Sequence, residues 1–219
     1  MRVKLFVTVT FFCLLAVMPA LARAEWFADL YLGPAITEDA AVKVERFFPT
    51  ENASEEIEFN TSFTFGGRIG YWSDFFPYLA FSMDLSYFQA EAGKVDFSII
   101  PWSTLLMLRW PLLTSHEFPN GEIQPYLGIG PSLIYYEMSI DYRPAISETI
   151  SEWSFEDGWD VRAGLSWQFY RNCGIFGEYR YTHYSIDYEE RSFFTNEVIR
   201  KVETRLDTHH FLMGISFRF

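Results

Sequence analysis

The chain ends in Thr208-His209-His210-Phe211-Leu212-Met213-Gly214-Ile215-Ser216-Phe217-Arg218-Phe219, and the reading of that stretch decides the fold. Successive side chains of a strand point to opposite faces. Phe211, Met213, Ile215, Phe217 and Phe219 therefore share one face. His210, Gly214, Ser216 and Arg218 share the other, with Leu212 as the exception. The same bulky apolar face, backed by small and charged residues, recurs upstream. Val161, Ala163, Leu165, Trp167 and Phe169 oppose Asp160, Arg162, Gly164, Ser166 and Gln168. Leu79, Phe81, Met83, Leu85 and Tyr87 oppose Ala80, Ser82, Asp84 and Ser86, while Gly177, Tyr179 and Tyr181 oppose Glu178, Arg180 and Thr182.

Working outward, eight segments carry strand character: Trp26–Ile36, Ser62–Trp72, Tyr78–Gln89, Phe97–Trp110, Ile123–Glu137, Trp159–Phe169, Ile175–Asp187 and Thr208–Phe219. Their connections alternate between short and mostly long. Ser73–Pro77, Pro111–Glu122 and Tyr170–Gly174 are fairly short and hold turn residues such as Asn120-Gly121. Thr37–Thr61, Met138–Gly158 and Tyr188–Asp207 are long, polar and rich in carboxylates, and are expected to be loops. Only Ala90–Asp96 on that side is short.

Residues 1–24 read as a cleaved signal peptide: Arg2 and Lys4, an apolar run from Leu5 to Met18, then Ala22-Arg23-Ala24 as a small-x-small cleavage site. Cys13 lies inside that run without the small neighbours of a lipidation site. Taking Arg2, Lys4 and Arg23 from the 17 basic residues leaves 14 against 29 carboxylates, a net charge of about −15. That balance excludes a nucleic-acid partner. Cys173 is the one cysteine left, so no intramolecular disulfide can stabilise the remaining chain.

Aromatic residues make up 20% of the sequence. A membrane barrel accounts for that excess, because it carries aromatic girdles at both interfaces and spreads its apolar residues over every second position. A soluble ligand-binding barrel would turn its apolar set inward. Here the polar set is rich in Gly, Ser and Ala with single charges, which suits a narrow, crowded interior. The bulky aromatic set suits lipid. Backbone groups in hydrocarbon find no water, so the sheet must close on itself. The expected fold is all-β: a closed antiparallel eight-stranded transmembrane β-barrel over residues 25–219, with both termini periplasmic.

Three stretches carry a resemblance: Gln124-Pro125-Tyr126-Leu127-Gly128-Ile129-Gly130, Gly177-Glu178-Tyr179-Arg180-Tyr181-Thr182, and Asp207-Thr208-His209-His210-Phe211 leading into the C-terminal strand. Together they resemble the OmpA-like outer-membrane β-barrel domain family over essentially the whole chain after residue 24. The resemblance implies a bacterial outer-membrane location in contact with lipid and lipopolysaccharide. It also implies that the face of Phe211, Met213, Ile215, Phe217 and Phe219 is read by the barrel-assembly machinery. Nothing follows Phe219, so no periplasmic peptidoglycan-binding domain is expected.

Inward parity gathers Asp29, Arg68, Asp84, Arg109, Asp160, Arg162, Glu178, Arg180 and Arg218. These nine could line an ion path or fill the interior as a salt-bridge network. Eight strands leave room only for side chains, which favours the network. Thr37–Thr61 holds seven carboxylates against Lys43 and Arg46, and reads as a solvated surface rather than a cation site. His209 and His210 are neighbours on a strand and cannot share one metal ion. No metal or cofactor is expected.

His183-Tyr184-Ser185 is similar to the His-x-Ser of the outer-membrane lipid A 3-O-deacylases. That resemblance implies a Ser185 nucleophile, a His183 base and an acid from the last strand, for which Asp207 is better placed than Glu197. It is partial, because Ile186 stands where those enzymes carry an asparagine, and no working triad is expected. The function expected is a small non-enzymatic outer-membrane barrel that serves envelope integrity or surface interaction through its extracellular loops, whose ligand the sequence does not reveal. The alternatives are a lipid A-modifying hydrolase and a narrow channel for small solutes.

Overall fold

A computed structural model describes residues 25–38, 40–47, 50–57, 59–92, 95–143, 146–191 and 198–219, with side chains in 25–38, 59–90, 97–137, 157–185 and 205–219. Ten strands form: β1 (Glu25–Thr37), β2 (Ala40–Phe47), β3 (Thr50–Ile57), β4 (Ser62–Trp72), β5 (Leu79–Ala92), β6 (Val95–Arg109), β7 (Ile123–Arg143), β8 (Ile146–Tyr170), β9 (Cys173–Arg191) and β10 (Val198–Arg218). Eight of them, β1 and β4 to β10, pair antiparallel in sequence order. The sheet closes where β10 returns to β1, with Phe27 opposite Arg218 and Thr37 opposite Thr208. This is the expected eight-stranded barrel.

The long connections differ from expectation. Most of Met138–Gly158 and Tyr188–Asp207 is strand, because β7, β8, β9 and β10 run on past the expected ends. Thr37–Thr61 folds largely into the hairpin β2–β3. The cause lies in strand length. β10 has 21 residues and β1 has 13, so β10 would expose an unpaired edge beyond Thr37. Strand β2 takes that edge, pairing Lys43–Arg46 with Arg200–Glu203.

The parity expected from sequence holds along the wall. In β1, Phe27, Asp29, Tyr31, Ala35 and Thr37 are buried, while Leu30, Leu32 and Ile36 face out. In β10, Phe211, Met213, Ile215 and Phe217 are exposed, as is Phe219 just beyond it, and Leu212 joins His210, Ser216 and Arg218 inside. The outer surface is thus a continuous belt of Leu, Ile, Phe, Trp and Met, far beyond the apolar patches that water tolerates on a monomer.

The interior is layered. Toward the end that carries Glu25 and Phe219, Phe27, Trp72, Ala80, Met107, Tyr126 and Phe176 pack together. Toward the far end, Ala35, Phe88, Ile99, Ile134, Tyr184 and Leu206 form a second apolar cluster. Charged side chains lie between them.

Candidate functional site

Register builds the charged layer. Asp29 of β1 lies opposite Arg68 of β4, and Arg68 opposite Asp84 of β5. Across the barrel, Asp160 and Arg162 are two apart on β8, as are Glu178 and Arg180 on β9, so each pair points inward together. Arg162 lies opposite Arg180. Seven of the nine predicted interior charges form one connected cluster. Arg68 Nη2 is 2.7 Å from Asp29 Oδ2, and Arg68 Nη1 is 2.7 Å from Glu178 Oε2. Arg162 grips Asp160 with two nitrogens, Nε at 2.9 Å and Nη2 at 2.7 Å, and reaches Asp84 Oδ2 at 2.7 Å. Arg180 Nη2 lies 3.5 Å from Asp84 and 3.4 Å from Glu178.

Three hydroxyls that sequence reading missed complete the carboxylates. Tyr31 Oη donates to Asp84 at 2.8 Å, Tyr126 Oη to Glu178 at 2.7 Å, and Ser103 Oγ to Asp160 at 3.0 Å. Inward parity was their signal. Tyr126 can reach across only because Gly164 faces it: a Cβ there would stand 2.3 Å from the ring. Arg109 and Arg218 are inside as expected but stand apart from the cluster, at the end that carries Glu25 and Phe219. Their carboxylate is Glu25, also missed, 2.8 Å from Arg109 and 3.7 Å from Arg218. Arg109 further stacks over Trp72, 4.2 Å from the ring centroid.

A second constellation sits on the outward face of β9 and β10. Asp207 lies directly opposite His183 and accepts both the His183 ring nitrogen Nδ1 at 2.6 Å and Tyr181 Oη at 2.5 Å. Tyr179 Oη is 2.7 Å from His209 Nδ1, and His209 Nε2 is 2.7 Å from Glu38. Trp159 of β8 packs its ring 5.2 Å from Tyr181 and 5.7 Å from His183. Ser185 shares this face, opposite Arg205, but no hydrogen bond joins it to His183 among the described residues. Glu197 lies outside the described residues. His209 and His210 diverge as parity requires: His210 is buried, with Nδ1 2.8 Å from Thr64 Oγ1.

A sheet closed on itself, apolar outside and ionic within, is the build of a transmembrane barrel. The outer membrane protein beta-barrel domain family matches residues 9–219, and the chain belongs to that family: it is an outer-membrane β-barrel. Among solved structures it is similar to OprG from Pseudomonas aeruginosa, with a TM-score of 0.59 and 12% identity over 90% of this chain and 96% of that one. It is also similar to Neisserial surface protein A, with a TM-score of 0.52 and 16% identity over 90% and 100% of the two chains. The outer membrane protein AlkL gives 0.52 and 12% over 90% of each. These likenesses are of fold. Among curated proteins nothing matches.

Proposed function

We propose that this protein is a non-conducting, non-enzymatic part of the outer-membrane wall, exported by its first 24 residues. It serves envelope integrity or surface interaction through the strands and hairpin that extend at the far end. One observation carries this reading: the interior is filled across its width by the Arg68–Glu178–Arg162–Asp84–Asp160 network, with apolar layers on either side. A solute crossing the barrel would have to part several charge-assisted hydrogen bonds at once. That packing of charged and apolar side chains counts against the narrow-channel alternative. Planar-bilayer recording of the purified barrel should give no steady conductance, whereas a large open state sensitive to Arg162→Ala would overturn the proposal.

The hydrolase alternative is favoured by a separate observation, the His183–Asp207 pair at 2.6 Å with Ser185 two residues along the same face. A carboxylate that orients the imidazole is what a nucleophilic serine requires of its base. The missing contact between His183 and Ser185, and Ile186 in place of an asparagine, count against it. Mass spectrometry of lipid A from cells that overexpress the protein should show no loss of an acyl chain. A loss that Ser185→Ala abolishes would establish the hydrolase instead.

A further inference from the structure

The interior guanidiniums and carboxylates fall into two unequal groups. The central cluster holds Asp29, Asp84, Asp160 and Glu178 against Arg68, Arg162 and Arg180, one carboxylate in excess. The group at the Glu25 end holds Arg109 and Arg218 against Glu25, one guanidinium in excess. The contacts locate both surpluses. Arg109 takes Glu25 at 2.8 Å, and Arg218 reaches it only at 3.7 Å. Arg218 Nε and Nη1 have no hydrogen-bond partner among the described residues. Asp29 gives Oδ2 to Arg68 at 2.7 Å, and its Oδ1 is likewise without one.

The two surplus groups meet at the closing seam. Asp29 of β1 lies opposite Ser216 of β10, and Phe27 lies opposite Arg218 one inward position away. Asp29, Ser216 and Arg218 line one enclosed cavity with Arg68, Trp72 and Ser166. Ser216 Oγ and Trp72 Nε1 also lack hydrogen-bond partners among the described residues. The cavity measures about 10 Å³, close to the least that holds one water molecule. An anion there would face the Asp29 carboxylate, and a cation would face the Arg218 guanidinium. With Glu25 counted, five guanidiniums meet five carboxylates inside, so an added ion would be an uncompensated buried charge. A neutral group that both donates and accepts fits the polar atoms, and water needs only two to four such partners.

We propose that one water molecule is a fixed part of this barrel, held between Asp29, Ser216 and Arg218. It donates to Asp29 Oδ1, accepts from the Arg218 guanidinium and has Ser216 Oγ as its third partner. It joins the surplus carboxylate to the surplus guanidinium and makes one network of the two groups. The junction lies on the β1–β10 seam, so the water ties together the two strands that close the sheet. A larger cavity at the barrel mouth, lined by Glu25, Gln168 and Asn172 among others, shares only Arg218 with this one. The Arg218 side chain therefore separates the water from the mouth.

Nuclear magnetic resonance on the full-length barrel in detergent micelles tests this directly. The Arg218 Nε–H signal is assigned by its loss in Arg218→Lys. In the wild type it should show a rotating-frame Overhauser cross-peak to water with the sign of dipolar contact. Ser216→Ala removes the neighbouring hydroxyl and should leave that cross-peak in place, because Asp29 and Arg218 still hold the water. Replacing chloride with bromide in the buffer should leave the Arg218 Nε–H shift unchanged. No cross-peak, its loss in Ser216→Ala, or a bromide-dependent shift overturns the proposal. Should Arg218→Lys fail to fold, a high-resolution crystal structure of the wild type decides. One density peak within about 3.2 Å of both Asp29 Oδ1 and an Arg218 nitrogen is expected, and an empty cavity overturns the proposal.

Discussion

Strand β9 carries two constellations of the same ingredients on its two faces. Glu178 and Arg180 point inward into a network of carboxylates, guanidiniums and tyrosines. Tyr181 and His183 point outward to Asp207. The hydrogen-bond lengths are comparable: 2.7 Å from Tyr126 to Glu178 inside, and 2.6 Å from His183 to Asp207 outside. What separates the two is accessibility. Arg162 and Glu178 have fully buried side chains, whereas the side chains of His183 and Asp207 are 29% and 28% exposed. Inside, a charge that loses its partner cannot turn to water. Outside, it can. Equal geometry therefore carries unequal energetic weight, and parity alone assigns which residue falls on which side.

Substitutions at three positions separate the effect of burial from that of geometry. Arg162→Met should have the largest effect, because it strips Asp160 and Asp84 of their closest cation in a sealed interior. The cost should be about 3–5 kcal/mol, read as a lower midpoint in urea unfolding from vesicles. An unchanged midpoint would mean that the interior is wet enough to rescue lone carboxylates. Arg109→Met should fall between the extremes. Its partner Glu25 is partly exposed and its stacking on Trp72 is lost, so about 2 kcal/mol is expected from the desolvated cation–π contact. His183→Ala should have the smallest effect, at most about 1 kcal/mol, as for partly exposed ion pairs. A larger loss in the same assay would show that the outward constellation is structural rather than superficial.

Much of this was legible in the sequence, and the gaps have physical causes. Alternation marks the two faces, so all nine charges predicted inside are inside. Alternation cannot say who pairs with whom, because partners such as Arg68 and Glu178 are brought together across the barrel by closure rather than along any strand. Tyr31 and Tyr126 have inward parity, but a hydroxyl's partner is a fact of three dimensions. Glu25 is an ordinary acidic residue until Arg109 and Arg218 converge on it. The long connections misled because charge-rich composition suggests loop. A strand continues for as long as its neighbour offers an edge, whatever its composition, and β7 with β8 and β9 with β10 offer edges to each other well beyond the belt.

The unequal lengths of β1 and β10 bear on how the barrel is made. Seven of the eight wall pairings join strands that are neighbours in the wall's order, while the eighth joins β1 to β10 across nearly the whole chain. Loop-closure entropy rises with the length of chain enclosed, so this seam is the least local contact and forms late. It is also lean. Pairing between β1 and β10 skips Gly33 and Pro34, and proline has no N–H to give to a ladder. Beyond Thr37 the seam passes to β2, a segment hinged from the top of β1 itself. The chain thus stitches its own last gap with a flap cut from its first turn, and the circle is completed by two strands doing the work of one.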